Sequence, residues 1–261
     1  MLLKEKTAII YGAGGAVGGA VAKAFAREGA RLFLAARKRD SLETIAETIR
    51  QAGGSAEIAT VDATDAGEVE QHLQDVAAKA GPVRIMFNAI SWDDIQGTEL
   101  TKMRLEDMLL PVRLALTTLF VTGTTLARHM AGNGGGVIIG ITANAGREAY
   151  PNAGGFGIAC AAAEHYLRQI AVENGPMGVR ACWVRSPGSP DAPGVREVWQ
   201  AAAEERGLTF DEYHRQIAAN TPLRRITALA QVADAAVLLA SDLAAGMTAT
   251  AANATGGAQV D

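Results

Sequence analysis

Residues 7–19 read TAIIYGAGGAVGG, a short strand-forming run followed at once by a glycine-rich turn. The residues that come next are rich in alanine and carry the apolar spacing of a helix. Gly12 and Gly15 allow a tight turn and let the backbone approach a pyrophosphate, and Gly18 lets the helix pack closely on the strand. Because the free N–H groups at a helix N-terminus attract anions, this strand, turn and helix together predict a dinucleotide-binding unit.

The rest of the chain alternates short β-branched runs with longer amphipathic segments. This alternation predicts an α/β fold, a single Rossmann-like doubly wound domain with a seven-stranded parallel sheet flanked by helices. Strands are predicted at 7–11, 31–35, 56–61, 84–88, 136–141, 179–184 and 250–254, and helices at 17–28, 40–52, 66–80, 105–130, 156–173 and 228–243. Glycines and prolines cluster at turns, so we predict one domain over residues 1–261.

One segment, 187–222, departs from the alternation. It is long, contains four of the eight prolines, and has a predicted helical piece near 195–206. It follows the sixth strand, and in open α/β sheets ligands bind at the carboxyl ends of the strands. We therefore predict that this insertion covers a substrate.

The composition narrows the classes of function. The chain has 261 residues, of which 49% are hydrophobic and 20% are charged, and this is not the composition of a disordered protein. Twenty-four Lys and Arg against 28 Asp and Glu give a net charge of -4 with no basic block, so neither nucleic acid nor a membrane is predicted as a partner. Two cysteines in apolar segments and no recognisable targeting segment predict a cytoplasmic protein.

Basic residues follow the second predicted strand, at Arg37, Lys38 and Arg39. A site that prefers NAD usually places an acid here, which accepts hydrogen bonds from the ribose hydroxyls. Arg37 and Lys38 can instead neutralise a 2′-phosphate, so the sequence favours NADP(H) over NAD(H). The alternative interpretation is a solvated, basic start of a helix.

Further short motifs follow in order: VDA at 61–63, FNAI at 87–90, RSPG at 185–188 and ATGG at 254–257. With these motifs the chain resembles the short-chain dehydrogenase/reductase family over nearly its whole length. The resemblance implies a subunit that binds a nicotinamide dinucleotide and forms a homo-oligomer, a tetramer or dimer, through its two long helices. The residues it implies at the cofactor are Gly12, Gly14, Gly15, Ala16, Val17, Arg37, Lys38, Asp62, Ala63, Asn88, Ala89, Ile90, Ile141, Phe156, Cys160, Pro187 and Gly188.

The catalytic part departs from the family pattern. The usual chemistry needs a Ser that polarises the carbonyl, a Tyr that passes the proton, a Lys that lowers the Tyr pKa and an Asn that holds a water relay. The register of the fifth strand and the two long helices assigns one residue to each of these four tetrad positions. Ala143 stands at the Ser position, Phe156 at the Tyr position, Cys160 at the Lys position and Ala115 at the Asn position. A second register, that of the enoyl reductases of the family, puts the Tyr at Ala153 and the Lys again at Cys160. In both registers the proton relay is missing.

Polar residues near the predicted pocket are candidates to replace the relay: Ser91, Asp93, Asp94, Thr142, Asn144, Glu148 and Tyr150. Each has a simpler role in a loop or turn. Tyr150 is the preferred substitute proton donor, because it stands on the loop that covers the substrate. Cys160 is predicted to be a buried thiol, since no base is in view. The scattered His72, His129 and His214 predict no metal site.

These features predict an NADP(H)-dependent oxidoreductase with a non-standard active site, acting on a small carbonyl, activated C=C or C=N substrate. Hydride transfer is the work of the cofactor, and such acceptors can be reduced without a dedicated acid. The missing relay leaves a non-catalytic NADP(H)-binding sensor or partner protein as the alternative, and a cofactor-independent lyase or isomerase as a weaker one. A fold resemblance does not choose among them, because function resides in the site.

Overall fold

A seven-stranded parallel sheet with helices on both faces accounts for residues 1–260, which the computed structural model describes. The strands are β1 (Thr7–Tyr11), β2 (Arg31–Ala36), β3 (Ser55–Thr60), β4 (Val83–Asn88), β5 (Gly136–Ala143), β6 (Val179–Ser186) and β7 (Ala251–Asn253). They lie in the order β3-β2-β1-β4-β5-β6-β7, and each neighbouring pair is parallel. The predicted fold class is confirmed, with strand bounds that differ from the prediction by at most two residues at each end.

The helices pack in two layers, one on each face of the sheet. They are α1 (Ala16–Arg27), α2 (Arg39–Gln51), α3 (Ala66–Ala80), α4 (Leu105–Gly132), α5 (Phe156–Asn174), α6 (Pro193–Glu204), α7 (Phe210–Ala219) and α8 (Leu229–Ala240). Successive side chains of a strand point to opposite faces, so Ile10 joins the core under α1, α2 and α8, whereas Ile9 joins the core under α3, α4 and α5. The chain order changes direction between β1 and β4, and their carboxyl ends therefore form the crevice in which ligands bind in such sheets.

The insertion after β6 contains two helices: α6, which matches the helical piece predicted near 195–206, and α7, which was not predicted. A local signal marks α7: the Thr209 hydroxyl accepts from the Glu212 N–H, and the Glu212 carboxylate accepts from the Thr209 N–H. This reciprocal capping box is written in the sequence as Thr-x-x-Glu and predicts a helix start. α6 and α7 pack mainly on each other, and aromatic contacts of Trp199 with Tyr213 and His214 join them.

α4 has the length and apolar composition of a membrane span, with 28 residues and a hydropathy of 1.4 over 18 of them. The sequence predicted this helix at 105–130 but not as long and apolar enough to span a membrane. In the structure α4 packs against α5, β4 and β5, and 44% of that window is buried inside the protein. Core helices of globular proteins have the same composition, so this helix is weak evidence for a membrane.

A buried pair of ionisable residues lies beneath the end of β1. Tyr11 is 1% exposed and His72 of α3 is 7% exposed, and the hydroxyl of Tyr11 lies 3.4 Å from Nδ1 of His72. Burial lowers the pKa of His72 from 6.5 to about 4 and raises the pKa of Tyr11. The imidazole is therefore neutral in the folded protein at every pH above about 4.

This pKa predicts an acid-dependent loss of stability. Between pH 6.5 and pH 4 the unfolded chain binds a proton at His72 that the folded chain does not bind, so stability falls as the pH falls, by about 1.4 kcal/mol per pH unit. Urea unfolding at several pH values, compared with the His72→Gln variant, measures this contribution. We expect the variant to show a shallower slope in this window by that amount; equal slopes would contradict the prediction.

Candidate active site

The glycine-rich turn after β1 is packed against the end of β4. Gly12 has a left-handed φ of +78°, and a Cβ built on it lies 2.5 Å from the carbonyl oxygen of Ala89. A Cβ built on Gly18 lies 2.3 Å from the carbonyl oxygen of Gly12. Both distances are far below van der Waals contact with backbone atoms, so these two positions require glycine.

α1 begins at Ala16, directly after this turn. Gly15 is its cap residue and has no side chain to accept from the first N–H groups, and the first turn of the helix has no acidic residue. The positive end of the helix dipole therefore remains available for another group. The Ser41 hydroxyl reaches the same turn, since a Cβ on Gly14 would lie 2.2 Å from its Oγ. Ser41 was not among the residues predicted from the sequence. The glycine turn, the uncapped start of α1 and the Ser41 hydroxyl together suit an anion such as a phosphate.

The edge beside β2 and β3 brings together three of the predicted residues. Arg37 and Lys38 are exposed and form no ion pair among the described residues, whereas Arg39 pairs with Glu43 at 2.9 Å. Hydrogen bonds from the N–H and hydroxyl of Thr64, with a smaller contribution from Arg37, lower the pKa of Asp62. Cations and a carboxylate therefore face the same part of the crevice.

The end of β4 is held rigidly. Asn88 is 2% exposed; its Nδ2 donates to the Thr122 hydroxyl at 3.1 Å, and its Oδ1 accepts from the Ile90 N–H at 3.2 Å. The Ala89 N–H donates to the Tyr11 carbonyl at 2.8 Å. These bonds fix the backbone of residues 88–90 beside the glycine turn.

The segment after β6 makes a turn at Gly188, whose φ is +81°. A Cβ on Gly188 would lie 3.4 Å from Val195 and 3.7 Å from Trp199, so α6 of the insertion packs over Gly188. Two other residues assigned to the cofactor, Ala63 (6% exposed) and the partly buried Ile141, pack in the two cores that flank the sheet.

The four residues predicted at the tetrad positions come together in space. Ala115, Ala143, Phe156 and Cys160 all belong to one apolar cluster, hereafter the site cluster, which also contains Trp92. Ala115 and Cys160 are 0% exposed, whereas Ala143 and Phe156 are partly buried. Three of the positions carry small side chains, and the Trp92 indole packs among them, with its ring centroid 6.2 Å from that of Phe156.

Cys160 has the properties of a buried thiol. Burial raises the pKa of its thiol from 9.0 to about 12, and the charges of Glu164 and Asp94 act in the same direction. Because the thiolate is the nucleophile, Cys160 is unreactive near neutral pH, in agreement with the sequence analysis.

Tyr150 has the wrong pKa for the role of a substitute proton donor. It is 45% exposed, and its hydroxyl donates to Glu148 at 2.9 Å. Burial of the phenol, followed by the bond to Glu148 and its charge, raises the pKa of Tyr150 to about 12. A general acid works best with a pKa near the working pH, so this environment opposes the role that the sequence analysis preferred.

The remaining polar candidates are divided between solvent and structural bonds. Ser91, Asp93 and Glu148 are exposed, and Asp94 is partly buried. Thr142 is 4% exposed and donates to Glu164 at 3.1 Å. Among residues 1–260 no group of three or more His, Cys, Asp or Glu side chains is arranged to hold a metal ion.

Comparison with known proteins identifies the family. A family model described as "Enoyl-(Acyl carrier protein) reductase" matches residues 12–259. The uncharacterised oxidoreductase YxbG of Bacillus subtilis is 30% identical over 256 residues, which cover 98% of this chain and 91% of YxbG. The chain belongs to the short-chain dehydrogenase/reductase family. It has the fold of this oxidoreductase family over nearly its whole length.

Solved structures of family members have the same architecture. A putative short-chain dehydrogenase/reductase from Burkholderia xenovorans has a TM-score of 0.84 and 27% identity and covers 99% of each chain. A 7α-hydroxysteroid dehydrogenase complexed with NADH and 7-oxo glycochenodeoxycholic acid has a TM-score of 0.84 and 26% identity, over 98% of this chain and 94% of that one. Members of the family bind nicotinamide cofactors.

A buried ion pair that was not predicted from the sequence lies beside the site cluster. Glu164 of α5 and Arg185 of β6 are 2% and 1% exposed, and Arg185 donates to both carboxylate oxygens, at 3.1 Å from Nε and 3.0 Å from Nη2. Glu164 lies one turn after Cys160, and Arg185 lies two residues before Pro187. The pair therefore joins the helix that carries two tetrad positions to the strand that leads into the Pro187–Gly188 turn. The sequence did contain a signal for this ion pair, because Glu164 and Arg185 are charged residues inside two apolar segments.

Proposed function

We propose that the protein is an NADP(H)-dependent oxidoreductase whose active site works without the proton relay usual in its family. Two features of this one chain carry the proposal. The glycine turn packs against backbone atoms at an uncapped helix N-terminus, and the four residues predicted at the tetrad positions form one apolar cluster. The turn supports dinucleotide binding. The cluster supports a reaction that takes no proton from a dedicated side chain.

The residues present fit a phosphorylated nicotinamide dinucleotide. The N–H groups at the start of α1 would hold the pyrophosphate, Arg37 and Lys38 the 2′-phosphate, and Asp62 the adenine. A Cβ on Gly12 would collide with the backbone that closes this cradle. When bound, the nicotinamide supplies or accepts a hydride. The site cluster would hold the substrate against it and exclude water.

The preference for NADP(H) rests on this chain's own charges. Arg37 and Lys38 are exposed at the end of β2 without ion-pair partners among the described residues, and no acid stands there to bind the ribose hydroxyls. A relative at 26% identity is complexed with NADH, so the family by itself does not favour either cofactor. Two free cations at a phosphate site favour the phosphorylated one.

The apolar site favours substrates that can take up a hydride with little help from an acid. Activated C=C bonds, C=N bonds and carbonyls that are already polarised meet this requirement. Neither Tyr150 nor Cys160 can donate a proton efficiently near neutral pH, because the pKa of each is raised to about 12. Small molecules of these classes are the substrates that we propose.

The same two pKa values favour a second candidate function. A site in which nothing transfers a proton also suits a non-catalytic NADP(H)-binding sensor or partner protein.

We further propose that the protein acts in the cytoplasm, without nucleic acid or membrane partners, as a homo-oligomer formed through α4 and α5. Exposed apolar side chains on these helices, Phe120 at 59% and Val172 at 71%, support such an interface.

Titration of the purified protein with NADPH and NADH, followed by the fluorescence of the reduced nicotinamide, tests the proposal. We expect NADPH to bind at least about ten-fold more tightly than NADH, as one or two charge-assisted bonds to a phosphate predict. A screen of NADPH consumption over ketones, enones and imines should then find turnover. Tight NADPH binding without turnover would favour the sensor, and failure to bind either cofactor would exclude both functions.

A further inference from the structure

Three buried polar atoms in or beside the site cluster have no hydrogen-bond partner within residues 1–260. Two of them are the indole Nε1–H of Trp92, a donor, and the amide oxygen Oδ1 of Asn144, an acceptor; the third is the hydroxyl of Tyr166, which packs against the cluster from α5. Trp92 and Asn144 are each only 8% exposed. Buried polar groups are nearly always paired, so two unpaired atoms of opposite type near one site require an explanation.

Both side chains belong to the candidate active site. The Trp92 ring packs in the site cluster, beside the ring of Phe156. Asn144 lies in the turn that follows β5 and comes directly after Ala143, which belongs to the site cluster. Ala145 follows it in the same turn. A Cβ on Gly157 would lie 2.6 Å from the Ala145 carbonyl oxygen, so this turn rests on the first turn of α5. The unpaired donor and acceptor thus approach the site from the loop after β4 and from the turn after β5.

We propose that Trp92 and Asn144 form the polar end of the substrate-binding site. Trp92 Nε1–H donates to an acceptor oxygen of the ligand, and Asn144 Oδ1 accepts from a neighbouring N–H or O–H. The ligand class is a small, otherwise apolar carbonyl compound that also carries an N–H or O–H donor, such as a hydroxy ketone. An indole N–H is a donor only, so Trp92 positions the ligand and does not replace the proton relay. This proposal names the substrate class of the proposed function and rests on it.

Ligand entry requires two loops to separate. Trp92 lies in the segment 89–104 after β4, and Asn144 precedes the segment 147–155; both segments lack helix and strand. They are tied by one backbone bond, from the Gly97 N–H to the Asn152 carbonyl at 2.9 Å. Asp93 and Asn152 have φ angles of 50° and 62°, in the left-handed region. Backbone strain of this kind is common in segments that clamp ligands.

Nuclear magnetic resonance of the indole N–H groups tests the proposal without any turnover. The chain has three tryptophans, so ¹⁵N-indole labelling gives three resonances, which Trp→Phe variants assign. The probes are δ-valerolactam, which has both acceptor and donor, cyclohexanone, which has the acceptor only, and methylenecyclohexane, which has neither. We expect the lactam and the ketone to move the Trp92 resonance downfield, and the hydrocarbon to leave it in place.

Variants separate the two bonds. Trp92→Phe should weaken lactam binding about ten-fold, and Asn144→Ala should weaken lactam binding about as much but change cyclohexanone binding less than two-fold. Trp183→Phe is the matched control, because Trp183 also has a buried, unpartnered Nε1 but lies in the core of β6, 1% exposed. It should leave lactam binding unchanged.

The proposal is overturned if the lactam moves the Trp92 resonance no more than methylenecyclohexane does, up to the solubility limit, or if Trp183→Phe weakens binding as much as Trp92→Phe. The probes are applied with and without NADP⁺, and NADPH binding is measured on the same sample. A Trp92 shift in a protein that binds no cofactor would refute the proposed function alone. Cofactor binding without the shift would refute this inference alone.

Discussion

Replacing Glu164 by glutamine is expected to lower the free energy of unfolding by about 3–5 kcal/mol. Glutamine has nearly the same shape as glutamate, so packing is preserved, but the charge is lost and an NH2 donor replaces one of the two oxygens that accept from Arg185. Arg185, which is 1% exposed and bonded to both carboxylate oxygens, would then keep its charge in the interior without the negative charge of Glu164. Urea unfolding of the variant against the natural protein measures the change.

Two control variants show whether the buried charge causes the loss. The double variant Glu164→Met, Arg185→Met removes both charges and should recover most of the stability, because an apolar pair can replace a buried ion pair at little cost. Glu57→Gln breaks ion pairs at the surface, to Lys79 and Arg31, and should cost less than about 1 kcal/mol. A double variant as unstable as the sum of its two single variants would contradict this explanation.

The second large effect is expected at Arg37. Arg37→Gln should weaken NADPH binding by about 10- to 100-fold, the loss expected for one or two charge-assisted bonds to a phosphate, and should change NADH binding less than two-fold. NADPH affinity should also fall as the ionic strength rises, because an exposed cation is screened by salt. Fluorescence titration with both cofactors at low and high salt measures these changes.

Arg39→Gln is the matched control for this prediction. Arg39 lies two residues away on the same basic stretch, but its guanidinium is bonded to Glu43 at 2.9 Å. We expect its loss to leave the affinity for NADPH within about two-fold, as is usual for an exposed ion pair of this kind. Equal losses in the two variants would show that general positive charge at this edge, and not Arg37, attracts the cofactor.

The structure gives a physical reason why placing Ser, Tyr and Lys at the predicted tetrad positions is more than a local change. Ala115, Ala143 and Cys160 are small, and the Trp92 indole packs in the same cluster. A lysine at position 160 would need to extend a long charged side chain through this cluster, and overpacking of that kind is itself destabilising. Restoration of Ser, Tyr and Lys therefore calls for a smaller residue at position 92 as well.

Much of the architecture was predictable because its signals are local. Hydrophobic periodicity along short segments predicted the strands and the long helices, and the glycine turn predicted the start of α1 to within one residue. The one helix that was missed, α7, has its own local signal in the capping box of Thr209 and Glu212. The motifs were also sufficient to bring the four tetrad positions into one place, since the family fold puts the ends of β5 and α5 side by side.

The sequence by itself determined the fold class and the family, because strand, turn and helix signals come from neighbouring residues, and it predicted which catalytic side chains the site lacks. Only the tertiary structure decided what occupies the site instead. The bond between Glu164 and Arg185 joins residues 21 positions apart, and Trp92 meets Phe156 across two loops. Contacts of this kind depend on how separate elements pack, and this packing has no local signature in the chain. The burial that raises the pKa of Tyr150 and Cys160 to about 12 has no local signature either.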